Sequence, residues 1–256
     1  MSSKDIGFLL TSWPYESGHI NVRKIRGQDG RVKIQMRLDL GVLQMEVDGR
    51  PDGQRPYGAE SLLTHHLERI RQHKQRNGTE LGFELTEEEC RDLRDEAAMY
   101  YQRYLALFVL EEFDGVERDT QRNLEVLDLC RKFARRDEDR FILEQYRPYI
   151  VMMNTRAKAL RALEAGATRS ALAHVEAGLR TIRDFFRTYH QPQAYLKSPE
   201  VKVLRQLRSK IRRTLPPDPV HHLRKQLQRA IVEERYEDAA RLRDQLRTLG
   251  ETPEAG

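Results

Sequence analysis

Two residue periods divide this chain, and they hardly mix. Val32, Ile34, Met36, Leu38 and Leu40 alternate with Lys33, Gln35, Arg37 and Asp39. That is the period-two pattern of a half-buried strand. From Glu60 onward, apolar residues recur at spacings of three and four, the period of an amphipathic helix. A chain patterned this way is expected to be mostly α: a small N-terminal antiparallel sheet, a helical middle region and a C-terminal helical hairpin.

The sheet is expected to begin at Ile20–Arg26, turn at Gly27-Gln28-Asp29-Gly30 and return through Val32–Leu40. After Gly41 the apolar phase moves to Leu43, Met45 and Val47, which predicts a bulge or a tight turn there. So small a sheet needs a helix on its apolar face. The simplest cover is the Glu60–Arg76 segment, which ends at Asn77-Gly78. The loop 48–58 between them carries Arg50 and Arg55, braced by Pro51 and Pro56. It reads either as a rigid connection or as a recognition loop whose arginines are free to engage an acidic or phosphorylated partner. It lacks the Gly-Lys-Ser/Thr ending of a P-loop.

Further helices follow. Thr86-Glu87-Glu88-Glu89 is a capping box, and the helix it opens is expected to end near Asp114-Gly115. The next covers Val116–Arg135. Another starts near Asp137 and meets Pro148, which should kink or break it. Two more run over Asn154–Ala165 and Ser170–Thr188.

The last segment is the most specific. Leu223, Leu227, Ala230 and Ile231 share a helical face after the Asp218-Pro219 start signal. The pattern falters at Glu234-Arg235 and resumes at Tyr236, Ala239, Ala240, Leu242, Leu246 and Leu249, with Gly250 as the stop. The small residues Ala230, Ala239 and Ala240 would let two helices approach closely. The string AIVEERYEDAARLRDQLRTL closely resembles the UVR motif, the short module that joins the excinuclease proteins UvrB and UvrC and recurs in other bacterial proteins. The resemblance implies docking on a partner with a UVR-like hairpin, or self-association, through those ten apolar and aromatic positions. It carries over no nuclease or helicase activity. A Walker A sequence is lacking, and nothing resembles the nuclease region of UvrC. The cysteine pairs of the UVR-bearing activator of bacterial protein arginine kinase are missing too. A second resemblance lies upstream: Gly166, Ala171, Leu172, Val175 and Gly178, with Ala159 and Ala162, take the spacing of one tetratricopeptide repeat, without a second copy.

The net charge is +5, with 39 % hydrophobic and 33 % charged residues. No apolar run approaches the ~18 residues of a membrane span, and the first residues hold no hydrophobic signal region. A cytoplasmic protein with no membrane partner is expected. Cys90 and Cys130 are expected to be reduced, buried thiols. His65, His66 and His73 read as polar surface residues. Neither set has zinc-ligand spacing, so no metal and no cofactor are expected. From Lys197 to Arg213 seven basic residues face one acid, Glu200. Arg205, Arg208, Arg212 and Arg213 are the candidates for nucleic-acid phosphate, although Val201, Leu204, Leu207 and Ile211 also make this an ordinary amphipathic helix. The expected organisation is a small α+β unit over 1–80, a helical scaffold over 81–190, a basic proline-containing connector over 191–218 and the hairpin over 219–250. A non-catalytic adaptor is the first expectation. The alternatives are an accessory factor of nucleotide-excision repair with weak nucleic-acid contact, and an enzyme sited at the sheet and its arginine loop.

Overall fold

A computed structural model describes residues 5–215 and 219–248, with the side chains of 219–222 left aside. The chain divides into two units, Met1–Arg208 and Ser209–Gly256. The break falls inside the expected connector, and the ranges 1–80 and 81–190 both lie within the first unit.

A short helix α1 (Gly7–Ser12) precedes a three-stranded antiparallel meander of β1 (Asn21–Arg26), β2 (Val32–Leu38) and β3 (Gly41–Glu46), in the order β1-β2-β3. The phase change at Gly41 is a tight turn. Leu38 pairs with Gly41 across Asp39 and Leu40, so Leu40 sits at a hairpin tip, 86 % exposed, and not on the core face. Ile34, Met36 and Met45 form the buried apolar set. The other face of β2 is buried as well, because its polar residues satisfy one another. Lys33 pairs with Asp29 and Glu46. Gln35 bonds to Arg23 at 2.9 Å and Gln44 at 3.0 Å. Arg37 donates to the carbonyl of Trp13 at 2.8 Å. The helix packed most closely on the sheet is α3 (Glu87–Val109), not the expected Glu60–Arg76 segment. That segment, α2 (Leu62–Asn77), lies against α3.

Turn chemistry sets the helix ends. Gly78 takes a left-handed conformation (φ 73°) and closes α2 through its N–H to Lys74. Thr86 and Glu89 make the reciprocal capping box of α3. Its end differs from expectation. The chain turns at Glu111, with φ 59°, and α4 (Phe113–Phe133) has already begun at Asp114-Gly115. Gly115 marks close helix packing, not a stop: a Cβ there would lie 2.8 Å from Leu107 Cδ1. The helix expected from Asp137 breaks well before Pro148, which opens the next one instead. After α5 (Asp137–Phe141) it occupies the first turn of α6 (Arg147–Glu164), where a missing N–H costs nothing.

The core of the first unit is a chain of packed helix pairs, α3 on α4, α4 on α6, and α6 on α7 (Thr168–Thr188). Leu93, Ala97, Val126, Leu127 and Ile150 are buried there. Cys90 and Cys130 are buried free thiols in the same cluster. α7 is the most two-sided of the set. Ala171, Val175, Gly178, Leu179 and Ile182 are buried, and Gly178 abuts Thr155 of α6. Beyond this packed pair, nothing extends the tetratricopeptide resemblance. Two further helices, α8 (Pro192–Lys197) and α9 (Pro199–Thr214), lead toward the second unit.

Candidate docking hairpin

In the second unit, α10 (Pro219–Val232) and α11 (Tyr236–Thr248) pack against each other. A three-residue turn joins them, and its backbone explains why the periodicity falters. Glu234 has φ 55°. The N–H of Arg235 reaches back to the Ala230 carbonyl at 2.8 Å, and that of Glu234 to Ile231 at 3.1 Å. Ion pairs lace the same turn. Glu233 bonds to Arg229 and Arg235, and Arg235 also reaches Asp238, each at 2.8 Å. These hydrogen bonds hold the Glu233 carboxyl below its ordinary range, Arg229 being the larger cause.

The ten sequence-selected positions separate into three sets. Ala230, Ala239 and Leu246 are buried. Leu223, Leu227, Ala240 and Leu242 are half-buried. Ile231 and Tyr236 are exposed, at 48 % and 69 %. Leu249, like the Asp218 cap and the Gly250 stop, lies outside the described residues. Val232, not among the ten, is 73 % exposed beside Ile231 and Tyr236. Its position just before the turn signal was the available clue. The hairpin therefore buries Ala230, Ala239 and Leu246 and leaves Ile231, Val232 and Tyr236 exposed on either side of its charged turn.

The arginine loop is arranged differently from expectation. Arg50 is not free: its guanidinium lies 3.4 Å from Glu96 and 3.0 Å from Asp52. Glu96 is fully buried on α3. It accepts the N–H groups of Leu62 (2.9 Å) and Leu63 (3.4 Å) at the start of α2, and it pairs with Arg122 of α4. Nearby, Arg103 forms a two-pronged ion pair with Asp119 and also donates to the carbonyls of Glu46 and Gly49. The loop is thus clamped to α3 and α4 by buried guanidinium groups. A lone carboxylate here would be untenable without such partners. Arg55 remains exposed, and neighbouring Tyr57 stacks on His65 with ring centroids 4.3 Å apart.

His66 is buried, against the expectation of surface histidines, and His73 Nε2 donates to the Leu81 carbonyl at 3.0 Å. Among the described residues no cluster of three or more His, Cys, Asp or Glu side chains is arranged to hold a metal ion. No helix among them is long and apolar enough to cross a membrane. Of the four basic candidates, Arg205, Arg212 and Arg213 are exposed and Arg208 is half-buried on α9.

Comparison with known proteins bears on the hairpin alone. The family described as UvrB/uvrC motif (UVR) matches residues 219–252, which include α10 and α11. This segment is a UVR motif appended to an α-rich protein with a small N-terminal sheet. Searches of curated proteins and of solved structures return no match.

Proposed function

We propose that this protein is a non-catalytic, cytoplasmic interaction adaptor that docks through its UVR hairpin on a second UVR-like hairpin, in a partner or in another copy of itself. The observation that carries the reading is the coincidence of the UVR match at 219–252 with a turn that exposes Ile231, Val232 and Tyr236. Apolar side chains left in water at a hairpin tip gain free energy when a partner covers them, about 25 cal/mol per Å². The lysine- and arginine-bearing first unit then serves as the body that the hairpin tethers. The motif's name favours a second reading, an accessory factor of nucleotide-excision repair whose partner is one of the excinuclease proteins.

Tyr236→Asp places a charge in the proposed contact without touching the buried Ala230–Ala239 packing. Light scattering of the full chain measures self-association, and titration with an isolated UVR peptide measures docking. We expect the substitution to weaken one or both by tenfold or more, while Arg247→Gln, on the exposed end of α11, leaves both unchanged. A monomeric wild type that binds no UVR peptide would overturn the adaptor reading.

A further inference from the structure

We infer that α7 and α9 together form a sequence-independent binding surface for the phosphate backbone of duplex nucleic acid. The inference goes beyond the docking reading and uses none of the hairpin's residues.

Arg169, Arg180, Arg183 and Arg187 are separated by 11, 3 and 4 residues, close to whole turns of a 3.6-residue helix, and all are exposed. They make one stripe along α7, about 27 Å long at 1.5 Å per residue. The side facing α6 is the buried set from Ala171 to Ile182. α9 adds the exposed Lys202 and Arg205. Tyr195 of α8 joins the two helices. Its ring is 8 % exposed and receives the guanidinium of Arg183 at 5.6 Å and that of Arg205 at 5.4 Å. Two guanidinium groups are thereby held beside one ring, pre-oriented at low entropic cost.

Many arginines elsewhere in this unit are paired. Arg50, Arg69, Arg94, Arg103, Arg118, Arg122, Arg136, Arg147 and Arg161 all lie against carboxylates. Among the described residues, Arg169, Arg180, Arg183, Lys202 and Arg205 have no ion pair. Arg187 has only exposed Asp184, at 4.0 Å. The nearest acid on α9, Glu200, accepts from Ser198 at 2.6 Å. α7 also carries Glu176 and Asp184 between Arg169 and Arg187, but arginine exceeds acid along the rod, and that excess matches the evenly charged backbone of a duplex, which carries one negative charge per ~1.7 Å. Guanidinium is also the preferred two-pronged donor to phosphate. The one aromatic at the centre is covered by its two arginines, so it offers no face for base stacking. Contact is therefore with phosphate, without sequence preference.

The test is fluorescence anisotropy of a labelled duplex of about 25 base pairs with the full chain, across a salt series. Wild type should bind at low salt with a steep log–log slope. Arg180→Gln/Arg183→Gln/Arg205→Gln should bind at least tenfold more weakly and flatten the slope by about 2.7, at ~0.9 per phosphate contact. If circular dichroism shows the triple variant to melt early, Arg180→Gln/Arg183→Gln is read instead, with about two-thirds of that change. Arg241→Gln/Arg243→Gln in the hairpin and Tyr236→Asp should leave the affinity unchanged, so this site and the docking site fail independently. No binding at low salt would overturn the inference. So would an unchanged slope in the α7/α9 variants, an equal loss in the hairpin variant, displacement of the duplex by an equal charge of poly-glutamate, or binding confined to anionic lipid vesicles.

Discussion

At the scale of single residues, the buried polar groups decide most. His66 sits near the start of α2, and burial pushes its pKa down to about 4 from an ordinary 6.5. Arg69 Nη1 lies 2.9 Å from His66 Nδ1. A guanidinium can only donate, so Nδ1 accepts and the ring is neutral in the folded protein. Glu89, which pairs with Arg69, opposes the shift, and His65 adds to it. The sign follows. The unfolded chain takes up a proton on this ring as pH falls through 6.5, while the folded chain resists until about 4. The contribution is complete above pH 6.5 and is lost as pH drops toward 4, by on the order of 2 kcal/mol. Urea unfolding at pH 7.5 and pH 5 should show a smaller loss for His66→Gln than for wild type. Equal losses would place the ring's charged form in the fold. Spacing sets His66 apart from His65, since it falls three residues after Leu63 and four before Ile70, but His73 shares that face, and which of the two is buried depends on the neighbour that lies across α2.

At the scale of elements, local signals were legible and partners were not. The period-two run, the Gly27–Gly30 turn, the Thr86 capping box and the Gly78 stop are written in adjacent residues, and each forms where expected, save that Leu40 leaves the strand for the turn. What covers the sheet is a long-range choice. α3, not α2, packs on it, and Arg50 is drawn into the Glu96 cluster. Gly115 and Gly178 show the same limit: a mid-helix glycine reads as a stop or a spacer until its neighbour is known. A Cβ at Gly178 would lie 2.1 Å from Thr155 Oγ1 and 2.8 Å from its Cβ. Gly178→Ala should therefore destabilise the α6–α7 pair by ~1–3 kcal/mol through overpacking, despite alanine's better helix propensity. Adding Thr155→Ala removes the two closest atoms and should recover part of the loss. A Gly178→Ala protein more stable than wild type in thermal unfolding would mean that the helices are farther apart than described.

At the scale of the molecule, the division after Arg208 separates a unit with a broad helical core from one of fewer than 50 residues. A piece that small buries a low fraction of its surface and is marginal on its own. Among the described residues of the hairpin, Ala230, Ala239 and Leu246 are the buried apolar ones, against a long series in α3, α4, α6 and α7. The two units should not open together. Hydrogen exchange of the full chain should show the amides of α10 and α11 exchanging through a low-energy opening, while those of α3, α4 and α6 wait for near-global unfolding. Ala239→Trp should speed exchange throughout the hairpin and leave the core amides unchanged, since the overpacked contact lies within one unit. Adding an isolated UVR peptide should slow exchange in α10 and α11 of wild type by mass action, as any ligand of the folded form does. Equal protection of hairpin and core, falling together in Ala239→Trp, would show a single cooperative fold. The UVR segment would then be an integral part of the core and not an independent docking arm.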